Sequence, residues 1–166
     1  MKTVSLTQGK VALVDDEDFE RISRLKWCII RGGGRGNNLY AFRTSWDKSK
    51  HRRVGILMHR LILNTRKEDQ IDHINGNGLD NQRNNLRLAT QQQNMWNRRK
   101  RVVCGGDSSV FKGVVWDKAR NKWLVKICYS GRYYHVGRFI DEKEAALAYD
   151  VAVRKYFGNY ARPNFS

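Results

Sequence analysis

Along the first 63 residues the apolar positions fall into short groups separated by polar turns, the pattern of strands, with one stretch at helical spacing. Lys10–Val14 (KVALV) predicts a strand. Asp15–Asp18 then supplies acids and a cap, and Phe19, Ile22 and Leu25 recur at helical intervals. Trp27–Ile30 and Tyr40–Thr44 are apolar or aromatic runs flanking Gly32–Asn38 (GGGRGNN). That loop lacks a following Lys-Ser/Thr and a helix start, so it predicts a flexible hairpin tip rather than a phosphate cradle. Val54–Met58 predicts a further strand and His59–Leu63 a short helix.

From residue 109 the pattern becomes more regular. Val110–Trp116, Lys122–Tyr129 and Tyr133–Phe139 predict three successive strands, with turns at Asp117–Asn121 and Ser130–Arg132. The middle strand alternates: Trp123, Val125 and Ile127 face one way, and Lys122, Leu124, Lys126 and Cys128 the other. A helix starts at Asp141 with Glu144 placed for a capping box. Ala145, Ala148, Tyr149, Ala152, Val153 and Tyr156 form its apolar ladder, and Gly158 stops it. Between the two regions, the basic cluster Arg98, Arg99, Lys100 and Arg101 runs into a Gly-Gly-Asp-Ser segment. This predicts a first domain over 1–100, a basic and glycine-rich linker over 101–108, and a second domain over 109–166, in an α+β chain. The cluster suits either a solvated helix end or contact with phosphates.

Composition narrows the partners. The 166 residues carry a formal net charge of +16. An excess this large points to a polyanion, and no basic amphipathic helix with a broad apolar face favours a membrane instead. No apolar run approaches the length of a membrane span, and the N-terminal residues lack the pattern of a secretion signal, so an intracellular place of action is expected. Cys28, Cys104 and Cys128 are odd in number and scattered, which supports neither a disulfide framework nor a zinc ribbon.

The candidate chemistry lies in Ile71–Asn94, IDHINGNGLDNQRNNLRLATQQQN. Phosphodiester cleavage needs a nucleophile, neutralisation of the phosphate and help for the leaving oxygen. His73 has the residue type to deprotonate water near neutral pH. Asp72 and Asn94 offer oxygen donors, which suit Mg²⁺, with Mn²⁺ as a substitute, better than Zn²⁺. Adjacent strand residues point to opposite faces, so Asp72 and His73 need an irregular strand to serve one phosphate. Arg60, Arg83 and Arg87 are either phosphate clamps or surface cations.

The segment DHINGNGLDNQRNNLRLAT with its later Asn resembles the HNH endonucleases of the homing type. That resemblance implies a ββα-metal core, with Asp72 as strand-borne metal ligand, His73 as general base and Asn94 as helical ligand. Asn85 would brace the loop and orient the histidine, with Asn84 competing for that role. His59 lies in an upstream segment such nucleases often show and would support the core, with Arg87 as another supporting residue. Residues 109–166 resemble the Apetala-two/ethylene-response-factor DNA-binding domain, through Lys-Gly-Val, Lys-Trp, Val-Gly-Arg-Phe, Glu-Ala-Ala-x-Ala-Tyr-Asp and a closing Asn-Phe. This second resemblance implies a three-stranded antiparallel sheet lying in the major groove and backed by one helix. Lys112, Arg120, Lys122, Lys126, Tyr133 and His135 would face outward, whereas Trp116 suits core or DNA face. Val115, Cys128 and His135 stand where Arg or Trp is usual, so the plant recognition sequence does not transfer.

Together these features predict a modular, metal-dependent endonuclease on double-stranded DNA, with no membrane and no small-molecule cofactor, encoded by a phage or a bacterium. One such site nicks one strand, and cutting both needs a dimer or a second turnover. The rival expectations are a DNA-binding regulator without catalysis and a structure-specific repair or junction nuclease.

Overall fold

The computed structural model describes residues 1–32, 38–100 and 109–165. The glycine-rich loop residues 33–37, Arg101, Cys104 and the rest of the 101–108 linker lie outside the described residues. The chain divides into two compact units, Met1–Gln91 and Gln92–Ser166. Both mix small antiparallel sheets with few helices, so the chain is α+β.

The first unit opens with the hairpin β1 (Lys2–Ser5) and β2 (Val11–Val14), then α1 (Asp16–Ser23). Sequence pattern predicts β2 and α1 but passes over β1, whose KTVS stretch buries only Val4. A three-stranded sheet follows from β3 (Cys28–Arg31), β4 (Leu39–Asp47) and β5 (Arg52–Leu57), with β4 central. The short helix α2 (Met58–Leu63) ends at Asn64, which is left-handed at φ 49°. Two three-residue strands, β6 (Ile71–His73) and β7 (Leu86–Leu88), pair antiparallel. A continuous core joins these pieces: Val4, Ala12, Val14, Ile22, Trp27, Ala41, Met58, Ile62 and Leu86 are all buried. Burial of these apolar side chains, not the propensity of such short elements, holds them in place.

The second unit takes in α3 (Gln91–Trp96) from Gln92 onward. Trp96 stacks on Phe157 at 4.5 Å and on Tyr129 at 5.6 Å. The sheet runs β10 (Arg132–Phe139), β9 (Lys122–Tyr129), β8 (Val114–Asp117), and α4 (Glu142–Phe157) backs it. Strand β8 starts later than the apolar run from Val110 suggests. Gly113 at φ +77° turns the chain just before it, leaving Val110 79% exposed. Asp141 caps α4 by accepting from the Glu144 backbone N–H at 2.8 Å, the N-cap half of the capping box expected there. The buried face of α4 also takes in Ala146 and Phe157, outside the expected ladder. Asp150, 2% exposed, accepts from the backbone N–H groups of Asn164 and Phe165 and so fixes the closing Asn-Phe to the helix. Among the described residues, no helix is long and apolar enough to cross a membrane.

Candidate active site and nucleic-acid interface

Strand β6 sets Asp72 and His73 side by side, opposite Arg87 and Leu86 of β7. Asp72 lies directly across from Arg87, whose Nε and Nη2 donate to its Oδ2 at 2.9 and 2.6 Å. Arg87 is therefore a partner of Asp72 and not an exposed cation. His73 points into a cluster where its ring stands 5.0 Å from that of His59 and 5.7 Å from that of Tyr40. Asp72 and His73 are each 5% exposed. Burial is the largest influence on His73 and pushes its pKa down. Asn81, Asp72 and Asp80 pull the other way without reversing it. His59 is driven down further, to about 3, by burial first and then by His73 and Arg60. Both imidazoles are thus neutral near pH 7, the state in which a histidine can accept a proton.

The loop between β6 and β7 uses its asparagines as fixed hydrogen-bonding parts. The Asn75 side chain accepts from Asn77 N–H at 2.8 Å, and that of Asn77 accepts from Leu79 N–H at 3.1 Å. These are Asx-type turns, the local alternative that Asn offers to regular structure. Asn85 ties the two ends. Its Oδ1 accepts from Asn75 N–H at 2.9 Å, and its Nδ2 donates to the Asp80 carbonyl at 2.8 Å. Gly78 must be glycine for packing reasons, because a Cβ there would sit 2.4 Å from the Leu39 carbonyl oxygen and 2.7 Å from the Tyr40 ring.

The N-terminal hairpin holds this loop from outside. Leu13 N–H donates to the Leu79 carbonyl at 2.9 Å, and Asn81 N–H donates to the Leu13 carbonyl at 2.8 Å. Arg83 donates to Asp18 through Nε and Nη2 at 2.7 and 3.0 Å, pairs with Glu17, and gives its backbone N–H to Asp15. Arg60 donates to the carbonyls of Arg66 and Asp69. Each of the three arginines that sequence leaves open thus has a protein partner in this structure.

Asn81 has no counterpart in the sequence expectations. It is 1% exposed, and neither polar atom of its side chain meets a partner at hydrogen-bonding geometry, yet the amide lies beside His73 and favours the imidazolium. The loop and turn between β6 and β7 contain Asn75, Asn77, Asn81, Asn84 and Asn85. Residue type alone gives no signal for which of them borders the histidine.

The first unit by itself brings together Asp72, His73, Asn85, His59 and Arg87. Asn94 lies on α3, half-buried, within the second unit. Among the described residues no three His, Cys, Asp or Glu side chains cluster as a closed zinc cage would need. Such a cage therefore has no basis there. A carboxylate fits a hard divalent cation that keeps most of its water. The Asp72 carboxylate would serve such an ion while sharing its charge with Arg87.

On the second unit, the outward face of the sheet carries Lys122, Lys126, Tyr133, His135 and, at the β8–β9 turn, Arg120, all exposed. Lys126 faces His135 across the ladder, and its ammonium lies 5.4 Å over the Tyr133 ring. Arg138, absent from the sequence expectations, joins this face by donating to Asp117 at 3.0 Å while standing 3.1 Å from His135. Trp116 pairs with Trp123, rings 4.9 Å apart. Lys112 departs from the expected outward position. Its ammonium donates to the Trp96 carbonyl, and burial lowers its pKa to about 8. The long aliphatic stem lets it cover apolar surface while its head satisfies the last carbonyl of α3. Lys100 likewise turns inward, donating to the carbonyls of Ser109 and Phe111, whereas Arg98 and Arg99 are exposed. Cys28 and Cys128 are free thiols.

Comparison with known proteins bears on the β6–β7 segment. The sequence profile of the HNH endonucleases matches residues 66–96. Over 163 residues the chain is 29% identical to a protein of Acanthamoeba polyphaga mimivirus named as an uncharacterized HNH endonuclease, a match spanning 95% of this chain and 76% of that protein. Over 92 residues it is 33% identical to Protein 3.8 of Escherichia phage T7, spanning 55% of this chain and 73% of that protein.

Proposed function

We propose, from the match of the HNH endonuclease profile to residues 66–96, that this chain is a homing-type enzyme that cuts double-stranded DNA near a site held by its second unit. The observation that carries the reading is His73: a neutral, buried imidazole next to Asp72, on a strand whose following loop is locked by Asn85. His73 takes a proton from water at an imidazole nitrogen. The hydroxide so formed attacks phosphorus in line, the bond from phosphorus to the 3′ oxygen breaks, and that oxygen takes a proton from solvent. The products are a 5′ phosphate and a 3′ hydroxyl. Asp72 and Asn94 would hold the divalent ion, with Mg²⁺ preferred and Mn²⁺ able to replace it. When bound, the ion supplies neutralisation of the phosphate and of the departing oxygen. Asn85 keeps the loop, and through it the backbone around His73, in register. Arg87 fixes the direction of the Asp72 carboxylate.

Holding DNA falls to the outward face of the β8–β10 sheet, an Apetala-two-like surface through Arg120, Lys122, Lys126, Tyr133 and His135, with Arg98 and Arg99 on the approach to it. A sheet can enter the major groove and read base edges while its cations contact phosphate.

Nicking of supercoiled plasmid in Mg²⁺ tests the catalytic assignment. His73→Ala and Asp72→Ala should each reduce it by orders of magnitude, and two variants as active as wild type would end the assignment. For the sheet, Lys122→Ala with Lys126→Ala should flatten the salt dependence of duplex binding by about one unit of slope for each phosphate no longer neutralised. An unchanged slope would remove both side chains from the interface.

A further inference from the structure

Strand β4 begins at the catalytic cluster and ends far from it. At its near end Tyr40 lies 5.7 Å from the His73 ring, and Leu39 and Tyr40 are packed against Gly78 of the site loop. From there β4 pairs with β5 in unbroken register, Phe42 opposite Leu57 through to Asp47 opposite Arg52. Asp47 is seven residues beyond Tyr40, which at about 3.3 Å per residue puts the far end roughly 20 Å from the cluster.

That far end is unlike the rest of the first unit. Lys48, Lys50, Arg52 and Arg53 are all exposed, and Trp46, directly opposite Arg53, is 58% exposed. The acid in this group, Asp47, is engaged within the turn: it accepts from Ser49 N–H and Oγ at 3.0 and 2.6 Å and from Lys50 N–H at 3.2 Å, and it pairs with the Lys50 ammonium at 3.4 Å, which leaves Lys48, Arg52 and Arg53 as the cations of the group not paired with it. Four cations and one large aromatic side chain therefore project from a paired two-stranded ribbon. A solvated hairpin explains the cations but not the Trp. A membrane would need a broader apolar surface than one indole. A polyanion with flat apolar bases and a groove wide enough for a two-stranded ribbon satisfies the cations, the aromatic side chain and the ribbon shape together.

We infer that the β4–β5 tip is a second DNA-contacting element, separate from the outer sheet of the second unit. It grips phosphates about six base pairs, or half a helical turn, from the scissile bond, taking about 3.4 Å per base pair. This rests on the nuclease reading for the position of the cut, but the grip itself does not depend on catalysis. Because one strand links the tip to Tyr40, whose ring lies 5.7 Å from that of His73, the ribbon acts as a ruler that places the duplex over the general base.

The test uses the full chain and a fluorescent linear duplex of mixed sequence, titrated at several salt concentrations in a chelator so that no cleavage occurs. Removing the four cations (Lys48→Ala, Lys50→Ala, Arg52→Ala, Arg53→Ala) should flatten log K against log salt by about 0.9 for each phosphate released, about two to four phosphates in all, and weaken binding about five- to tenfold per phosphate near 0.1 M salt. Retaining charge (Lys48→Arg with Lys50→Arg) should keep the slope. Trp46→Ala should weaken binding at unchanged slope. Hydroxyl-radical footprints should lose protection only at the patch about half a turn from the nick. A four-cation variant that melts like wild type and binds with wild-type slope overturns the proposal, as does loss of protection at the nick itself. A wild-type protein that binds through the ribbon yet never nicks would overturn the nuclease reading and leave the ribbon standing.

Discussion

Asn85 offers the sharpest perturbation of the site because its two hydrogen bonds close the loop from both ends. Truncation to Ala strands the Asn75 N–H and the Asp80 carbonyl in a region where Asn85 itself is 8% exposed. Each orphaned group costs about 1–3 kcal/mol, so the pair comes to about 2–4 kcal/mol once partial access of water is allowed. For a unit of this size about 1 kcal/mol moves the melting temperature by about 4–8 °C, giving a drop of about 10–30 °C in the transition of the first unit. Nicking should fall about 100-fold, the scale expected when a reacting group is misplaced by about 1 Å. Hydrogen exchange gives the local readout. The Asn75 amide should lose its protection in Asn85→Ala but keep it in Asn85→Asp, which retains an acceptor for it. The Ile74 amide, bonded to the Asn85 backbone carbonyl at 2.9 Å, is the internal control. A protected Asn75 amide in Asn85→Ala, with a melting shift below about 2 °C, would refute the bracing role.

Two further outcomes follow from the same geometry. Gly113→Ala forces a Cβ to within 2.0 Å of the Tyr149 ring at φ +77° and should cost about 2–4 kcal/mol, read as a lowered calorimetric transition of the second unit; an unshifted transition would show that Tyr149 yields freely. His59 should show no NMR titration from about pH 5 to about pH 8. Its folded pKa of about 3 lies below the ordinary 6.5, so the unfolded state binds the proton first and stability is lost as pH falls from 6.5 to about 3. His59→Phe should flatten this acid limb, and an identical limb would mean other groups dominate it.

Much of the fold is written locally. The alternation in β9, the N-cap that Asp141 gives the Glu144 N–H, and the stop at Gly158 involve neighbours in sequence, so period and turn chemistry suffice to read them. Where β8 begins is not local, because Gly113 turns under Tyr149, a residue on α4. The strand β1 is illegible in the sequence for the same reason: its four residues become a strand by pairing with β2 and burying Val4.

The candidate site divides along the same line. The Asp-His pair, the asparagine-rich loop, Asn-Asn-Leu-Arg and the later Asn point to a nuclease together, through their resemblance to the HNH endonucleases, and the large positive charge points to a polyanion. Their order along the chain carries that much. The tertiary structure decides what each side chain is for. Arg87 is the partner of Asp72 because β6 and β7 pair in one register, and Arg83 is a brace because α1 brings Asp18 to it. Lys112 leaves the proposed DNA face because a carbonyl of α3 is within reach of its ammonium. Asn81 borders His73 because β2 holds the end of the loop by its backbone. Sequence sets which chemistry is available, since reactivity belongs to the side chain. Tertiary packing decides which groups are neutral, fixed or turned inward, since burial and partners come from residues distant along the chain.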